Sequence, residues 1–174
     1  MSILPRLSVL VTMLMASALL ASCGLQPLYS GGTNGVVASG LGHVEVGPIE
    51  GKAGWLMRNA LKDQLSTFEG TEAKYRLAVE LDDKIAGFGL RSNDRITRER
   101  RTLRARYQLV RLSDNQVVLD ATAGSDAGVD VVSSEYATVA AEETALENLS
   151  TIVANQIVTR LSLFARKQAK GSDK

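Results

Sequence analysis

Apolar side chains recur along this chain at two spacings, every second residue in some stretches and every third or fourth in others. The first spacing predicts strands and the second helices. His43-Val44-Glu45-Val46-Gly47-Pro48-Ile49 alternates and stops at Gly-Pro, which predicts a short first strand. From Lys52 to Phe68 the period becomes helical, with Leu56, Ala60, Leu61, Leu65 and Phe68 on one stripe and Gly70 as the stop. Trp55, near its start, reads as a large apolar residue capping the core. Tyr75 to about Ala86 is a second strand with Tyr75, Leu77, Val79 and Leu81 inward, broken at Gly87-Phe88-Gly89. Thr97 to Leu112 predicts a long third strand. Its inward set is Leu103, Ala105, Tyr107 and Leu109, and its outward set Thr102, Arg104, Arg106 and Gln108.

Ser113-Asp114-Asn115 is turn chemistry, and Gln116 to Ala123 gives a last strand with Val117, Leu119 and Ala121 on one face and Val118 on the other. Residues 124–134, rich in Gly, Ser and Asp, read as a connection. The longest helical pattern runs from Glu135 to Lys167, with a stripe of Leu146, Leu149, Val153, Ile157, Arg160 or Leu161, and Phe164. Ser134 is its expected N-cap, and the acids near its start and bases near its end match the helix dipole. The order β-α-β-β-β-α predicts an α+β fold, two helices packed on one face of a four-stranded, mostly antiparallel sheet. One domain covers residues 43–168, and 169–174 form a disordered tail. The other sheet face has no helical cover, and it carries the arginines of the middle hairpin.

Ahead of this body, Arg6 precedes an apolar and small run from Leu7 to Leu20, the layout of a signal peptide and short for a membrane span. Leu20-Ala21-Ser22-Cys23 follows and resembles the bacterial lipobox, in which the cysteine is acylated and opens the mature protein. Residues 1–22 are then removed, Cys23 is the lipidation site, and no free thiol or disulfide chemistry remains. One acyl chain binds a membrane only marginally, whereas a triacylated cysteine holds firmly. No Asp follows the cysteine, which by resemblance to the enterobacterial sorting rule implies the periplasmic side of the outer membrane. Residues 23–42, with Pro27 and a run of Gly, Ser, Thr and Asn, read as a flexible tether.

Charge narrows the function further. Removing Arg6 from the 20 Lys and Arg leaves 19, equal to the 19 Asp and Glu, so nucleic acid is excluded as a general partner. Zinc-type His or Cys spacings, a nucleophile elbow and phosphate-binding glycine loops are all absent from the sequence. The adjacent acid pairs Asp82-Asp83 and Glu142-Glu143 diverge on a strand or helix. His43 stands alone and reads as a strand-opening residue, not a ligand or base. The chain is expected to be neither an enzyme nor cofactor-dependent. One segment is asymmetric: Arg91, Arg95, Arg98, Arg100, Arg101, Arg104, Arg106 and Arg111 are opposed within it only by Asp94 and Glu99. Alternation puts Arg98, Arg100, Arg104 and Arg106 on the outward face, with Arg91 and Arg95 in the adjoining loop. These six are the candidate contacts for an anionic lipid or an acidic protein wall, since arginine binds phosphate and carboxylate bidentately. The competing structural account is a solvated face paired to Glu80 and Asp82.

Cys23-Gly24-Leu25-Gln26-Pro27-Leu28-Tyr29 resembles the start of the lipopolysaccharide-assembly lipoprotein family, LptE, of alphaproteobacterial type. Val46-Gly47-Pro48-Ile49, Leu56 to Leu61, Arg104 to Leu109 and Tyr136-Ala137 extend the likeness over most of the mature chain. The resemblance implies a two-helix, four-stranded domain seated as a plug inside a large outer-membrane β-barrel, LptD. It also implies direct contact with lipopolysaccharide, which the pair places in the outer leaflet. It supplies no catalytic residues, and the arginine assignment stays an inference from charge. An auxiliary lipoprotein of an ABC-type phospholipid transport system is the alternative; a periplasmic hydrolase would need an acid or hydroxyl site that the spacing does not display.

Overall fold

The computed structural model describes residues 36–68, 72–90 and 96–172. A short helix α1 (Val36–Leu41) leads into strand β1 (Val44–Val46) and helix α2 (Gly51–Ser66). The meander β2 (Tyr75–Leu90), β3 (Ile96–Arg111) and β4 (Val117–Asp130) follows, and helix α3 (Glu135–Ser172) closes the chain. The sheet order is β1-β2-β3-β4, with β1 parallel to β2 across the α2 crossover and the other pairs antiparallel. The α+β reading therefore holds, two main helices on one face of a mostly antiparallel sheet.

Strand alternation builds the core as the sequence predicts. Leu77 and Val79 of β2, and Leu103, Ala105, Tyr107 and Leu109 of β3, are buried, with Tyr75 and Leu81 packed at the margin. They meet Leu146, Leu149, Val153, Ile157 and Leu161, one stripe of α3. At 16 residues each, β2 and β3 span about 50 Å, and the 38-residue α3 about 57 Å, so the helix matches the strands in length, and it packs against β3 and β4. Ser134 caps α3 as expected, its Oγ accepting from Ala137 N–H at 3.4 Å. The turn at 113–115 is closed by Asp114 Oδ1, which accepts Gln116 N–H at 3.1 Å, while Asn115 takes the left-handed conformation (φ 54°) that Asn tolerates.

Several boundaries differ from expectation. The supposed tether ends in α1, whose Val37, Ala38 and Leu41 are buried in the core. Gly40 makes this possible: a Cβ there would stand 2.7 Å from Ala165 Cβ of α3, so only glycine admits so close an approach. The buried stripe of α2 is Gly54, Met57, Leu61 and Leu65, with Leu56, Ala60 and Phe68 half-buried beside it. Trp55 does not cap the core; it is 64% exposed.

β2 does not break at Gly87, and β4 continues through residues 124–130, assigned from sequence to a connection, because both pair with the full length of β3. Glycine and aspartate are poor strand formers alone, but a long neighbour supplies their hydrogen bonds. A bulge at Leu109/Val110 pairs Val110 with Val117 and Leu109 with Leu119. Val117 is thereby turned to solvent, away from Leu119 and Ala121. The helix α3 also runs to Ser172, past the expected fraying point.

Candidate functional site

The sheet face away from the helices carries the even-numbered side chains of the hairpin. Of the six candidate arginines, Arg98, Arg100, Arg104 and Arg106 share this face and are exposed; Arg91, Arg95 and Cys23 lie outside the described residues. Sequence distance hid what the register reveals. Arg98 meets Asp130 at 3.0 Å, Arg104 meets Asp126 at 3.4 Å, and Arg106 meets Asp120 at 2.9 Å, all on β4. Glu80 and Asp82, the partners expected from sequence, stand opposite Arg106 and Arg104 in β2, but the ion pairs run to the other neighbour.

Around them, Arg76 bonds Glu45 at 2.6 Å and Lys84 bonds Asp82 at 2.7 Å. The face is thus an interleaved lattice, with Arg76, Lys84, Arg98, Arg100, Arg104 and Arg106 balanced by Glu45, Glu80, Asp82, Asp120, Asp126 and Asp130. Its long-range field is small, and any anion it binds must be held by local geometry. Hydrogen bonds from Arg106 and then Gln108 hold the Asp120 carboxyl below its usual range, and a Thr102 hydroxyl does the same for Asp126. Arg100 differs. Among the described ion pairs it has none, and its guanidinium lies 5.2 Å from the Phe88 ring centroid. A Cβ at Gly124 would fall 2.4 Å from Arg104 Cδ, so a larger residue there would displace the Arg104 side chain.

The helix side holds a charged group that sequence reading did not single out. Arg101 has the odd parity of Leu103, Ala105 and Tyr107, so it points inward beneath the distal hairpin. Its Nε and Nη2 bond Asp83 Oδ1 and Oδ2 at 2.8 and 2.6 Å, and its Nη1 donates to the Glu142 carbonyl of α3 at 2.8 Å. Parity alone would have found it. Nearby, Glu99 Oε2 is shut off from solvent, and burial, then the neighbouring Glu142 carboxyl, pushes the Glu99 carboxyl up. Lys52 of α2 bonds Glu143 of α3, tying the two helices at this end.

His43, as expected, serves the backbone. Its Nδ1 donates to the Glu72 carbonyl at 2.6 Å, and its own carbonyl accepts from Lys74 and Tyr75. Among the described residues no cluster of three or more His, Cys, Asp or Glu is placed to hold a metal. No described helix is long and apolar enough to cross a membrane.

The fold recurs in solved lipoproteins. A candidate lipoprotein of Caulobacter crescentus CB15 superposes with a TM-score of 0.60 at 23% identity, over 75% of this chain and 96% of that one. The rare lipoprotein B of Shewanella oneidensis gives 0.57 at 8% identity, over 72% and 96%. A minor lipoprotein of Acinetobacter baumannii gives 0.55 at 16%, over 69% and 91%. At these identities the likeness speaks for the fold. Comparison with curated proteins by sequence finds no match. The family described as LptE, lipopolysaccharide-assembly, matches residues 41–161, from the end of α1 through Leu161 of α3, and the chain therefore belongs to the LptE lipopolysaccharide-assembly family of lipoproteins.

Proposed function

We propose that this lipoprotein is anchored through acylated Cys23 to the periplasmic side of the outer membrane and seats in a large LptD-like β-barrel, assisting lipopolysaccharide transport. The observation that carries the reading is the family match across nearly the whole folded body, from residue 41 to 161. The chain contributes binding and shape, with no chemical step. Its outward arginine lattice would meet phosphorylated head groups by partner exchange. Each exposed Arg–Asp pair contributes only about 0–1 kcal/mol, so a phosphate that accepts bidentate bonds can displace an aspartate at small cost. Arg100, at the distal end, offers such contacts with the least competition, because it has an aromatic neighbour in place of a carboxylate.

Depletion of the protein in its own cells tests the reading. Surface lipopolysaccharide should fall while the phospholipid distribution between the membranes holds. Normal surface lipopolysaccharide with displaced phospholipid would overturn it in favour of an auxiliary role in phospholipid transport.

A further inference from the structure

We infer that the free edge of β4, flanked by α3, is a strand-addition site that takes an extended segment of a partner protein. The register fixes which backbone groups are available. Pairing of β3 with β4 runs without interruption from Arg98–Asp130 to Leu109–Leu119, and Val131 N–H donates to the Thr97 carbonyl. In an antiparallel pair, alternate residues exchange both bonds with the neighbour. The odd residues of β4 therefore serve β3, and Asp120, Thr122, Gly124, Asp126, Gly128 and Asp130 turn their N–H and C=O groups away from it. β4 ends the sheet.

One of these residues shows how such an edge is met. Gly124 N–H donates to Gln156 Oε1 at 3.1 Å, and Gln156 Nε2 donates to the Gly124 carbonyl at 3.4 Å. A side-chain amide from α3 thus stands where the backbone amide of an added strand would stand. It covers one residue of the row.

Edge strands ordinarily carry devices that prevent pairing: charged side chains, above all Lys, or Pro, a bulge or short length. Of these β4 has, past the bulge at its start, only its aspartates, which a basic guest would pair. β4 is 14 residues long, without Lys, Arg or Pro, and is built largely from Ala, Gly, Ser, Thr and Asp. Its inner residues, Val129 apart, are also incompletely covered. Leu119, Ala121, Ala123 and Ala127 are half-buried, whereas Leu103, Ala105, Tyr107 and Leu109 of β3 are at most 2% exposed. Beside them α3 exposes Ile152 at 44% and Leu163 at 47%, on either side of Gln156. A shallow groove of about 500 Å³ runs along these residues, and a second, about 560 Å³, joins Leu163 to Leu119 of β4. Backbone edge and apolar helix flank together form the geometry of strand addition, in which main-chain bonds hold the guest and alternate side chains enter the flank.

The chemistry selects the occupant. On the outer face, Asp126 and Asp130 meet β3 donors through Oδ1 and keep Oδ2 as a further acceptor. The guest strand therefore carries basic or hydroxyl side chains on that face and aliphatic ones over Ile152 and Leu163. A second copy is disfavoured, because pairing edge to edge sets one aspartate column against the other. The inference does not depend on which protein supplies the strand, so it can hold where the barrel reading fails.

The test is photo-cross-linking of the full-length lipoprotein in its own envelope, with the reactive residue placed at Thr122, Asp126 or Gly128 and, as control, at Lys84. The three β4 sites should give adducts to one partner segment, at positions offset by four and then two residues, and Lys84 none to that segment. Thr122→Pro removes an edge donor that β3 does not use, and should cut the Asp126-site adduct by about tenfold. Gln156→Ala uncovers Gly124 and should raise it, the opposite sign to general damage. Adducts without that four-and-two spacing, adducts to a second copy of this chain, no adducts, or a Pro variant that cross-links as wild type would each overturn the inference.

Discussion

Arg101 grips the Asp83 carboxylate through two hydrogen bonds, Nε to Oδ1 at 2.8 Å and Nη2 to Oδ2 at 2.6 Å, on the helix side of the sheet. Its third nitrogen donates to the Glu142 carbonyl. One side chain therefore joins β2, β3 and α3 at the far end of a long hairpin. Each of the three guanidinium nitrogens has an acceptor, and the pair is held 12% and 23% exposed. This is a satisfied pair rather than a stranded charge.

Breaking that fork should cost more than breaking any outward pair. Loss of one partner of a buried pair costs about 3–5 kcal/mol, and partial solvent access reduces the expectation for Arg101→Ala to about 2 kcal/mol. Arg104→Ala, at an exposed pair, should lie within about 1 kcal/mol of wild type. Urea midpoints at constant m-value separate the two. Equal losses would show that the inner fork holds nothing.

Glu99 sets a pH dependence of its own. Its carboxyl is raised in the folded state, so between the ordinary carboxylate pKa and the raised one the folded state binds more protons than the unfolded. Stability from this group is present below the ordinary value and lost as pH rises through the raised one. Glu99→Gln should therefore stabilise the protein at pH 7 relative to wild type and lose that advantage at pH 4. Asp120 and Asp126, held low, act in the opposite direction and weaken the fold on acidification. Urea melts of both proteins at the two pH values decide it; a mutant advantage confined to pH 4 would contradict the assignment.

α1 belongs to the body and not to a tether. Leu41 is 2% exposed within the core, so Leu41→Ala should cost about 2–4 kcal/mol. A change below about 0.5 kcal/mol, read from thermal or urea unfolding, would return residues 36–41 to the tether.

Much of this was legible in the sequence wherever the side chain itself carried the signal. The inward sets of β2 and β3, the stripe of α3 and the Ser134 cap follow from period and capping chemistry. α1 was not legible, because Val36-Val37-Ala38-Ser39-Gly40-Leu41 follows a Gly-rich run, and its burial depends on the close approach that Gly40 allows to Ala165. The distal half of β4 reads as a loop by composition and is a strand only because β3 lies beside it. For the same reason the arginine segment looked unopposed: Asp120, Asp126 and Asp130 are distant in sequence, and only the register sets them beside Arg106, Arg104 and Arg98.

The arginine lattice makes a direct prediction about lipid. Arg104→Gln with Arg106→Gln removes two charge-assisted donors, each contributing about 1.5–3 kcal/mol to a charged acceptor, and should weaken binding of purified protein to lipopolysaccharide by about tenfold or more in low salt. Unchanged affinity under those conditions would take these two arginines out of the contact.

The measurement that bears most directly on the whole account is a mild-detergent pull-down of the tagged full-length lipoprotein from its own envelope, with partners identified and quantified by mass spectrometry. The account predicts a large outer-membrane β-barrel recovered at about one to one with the lipoprotein. Recovery of an inner-membrane permease and its substrate-binding protein, with no barrel, would contradict it.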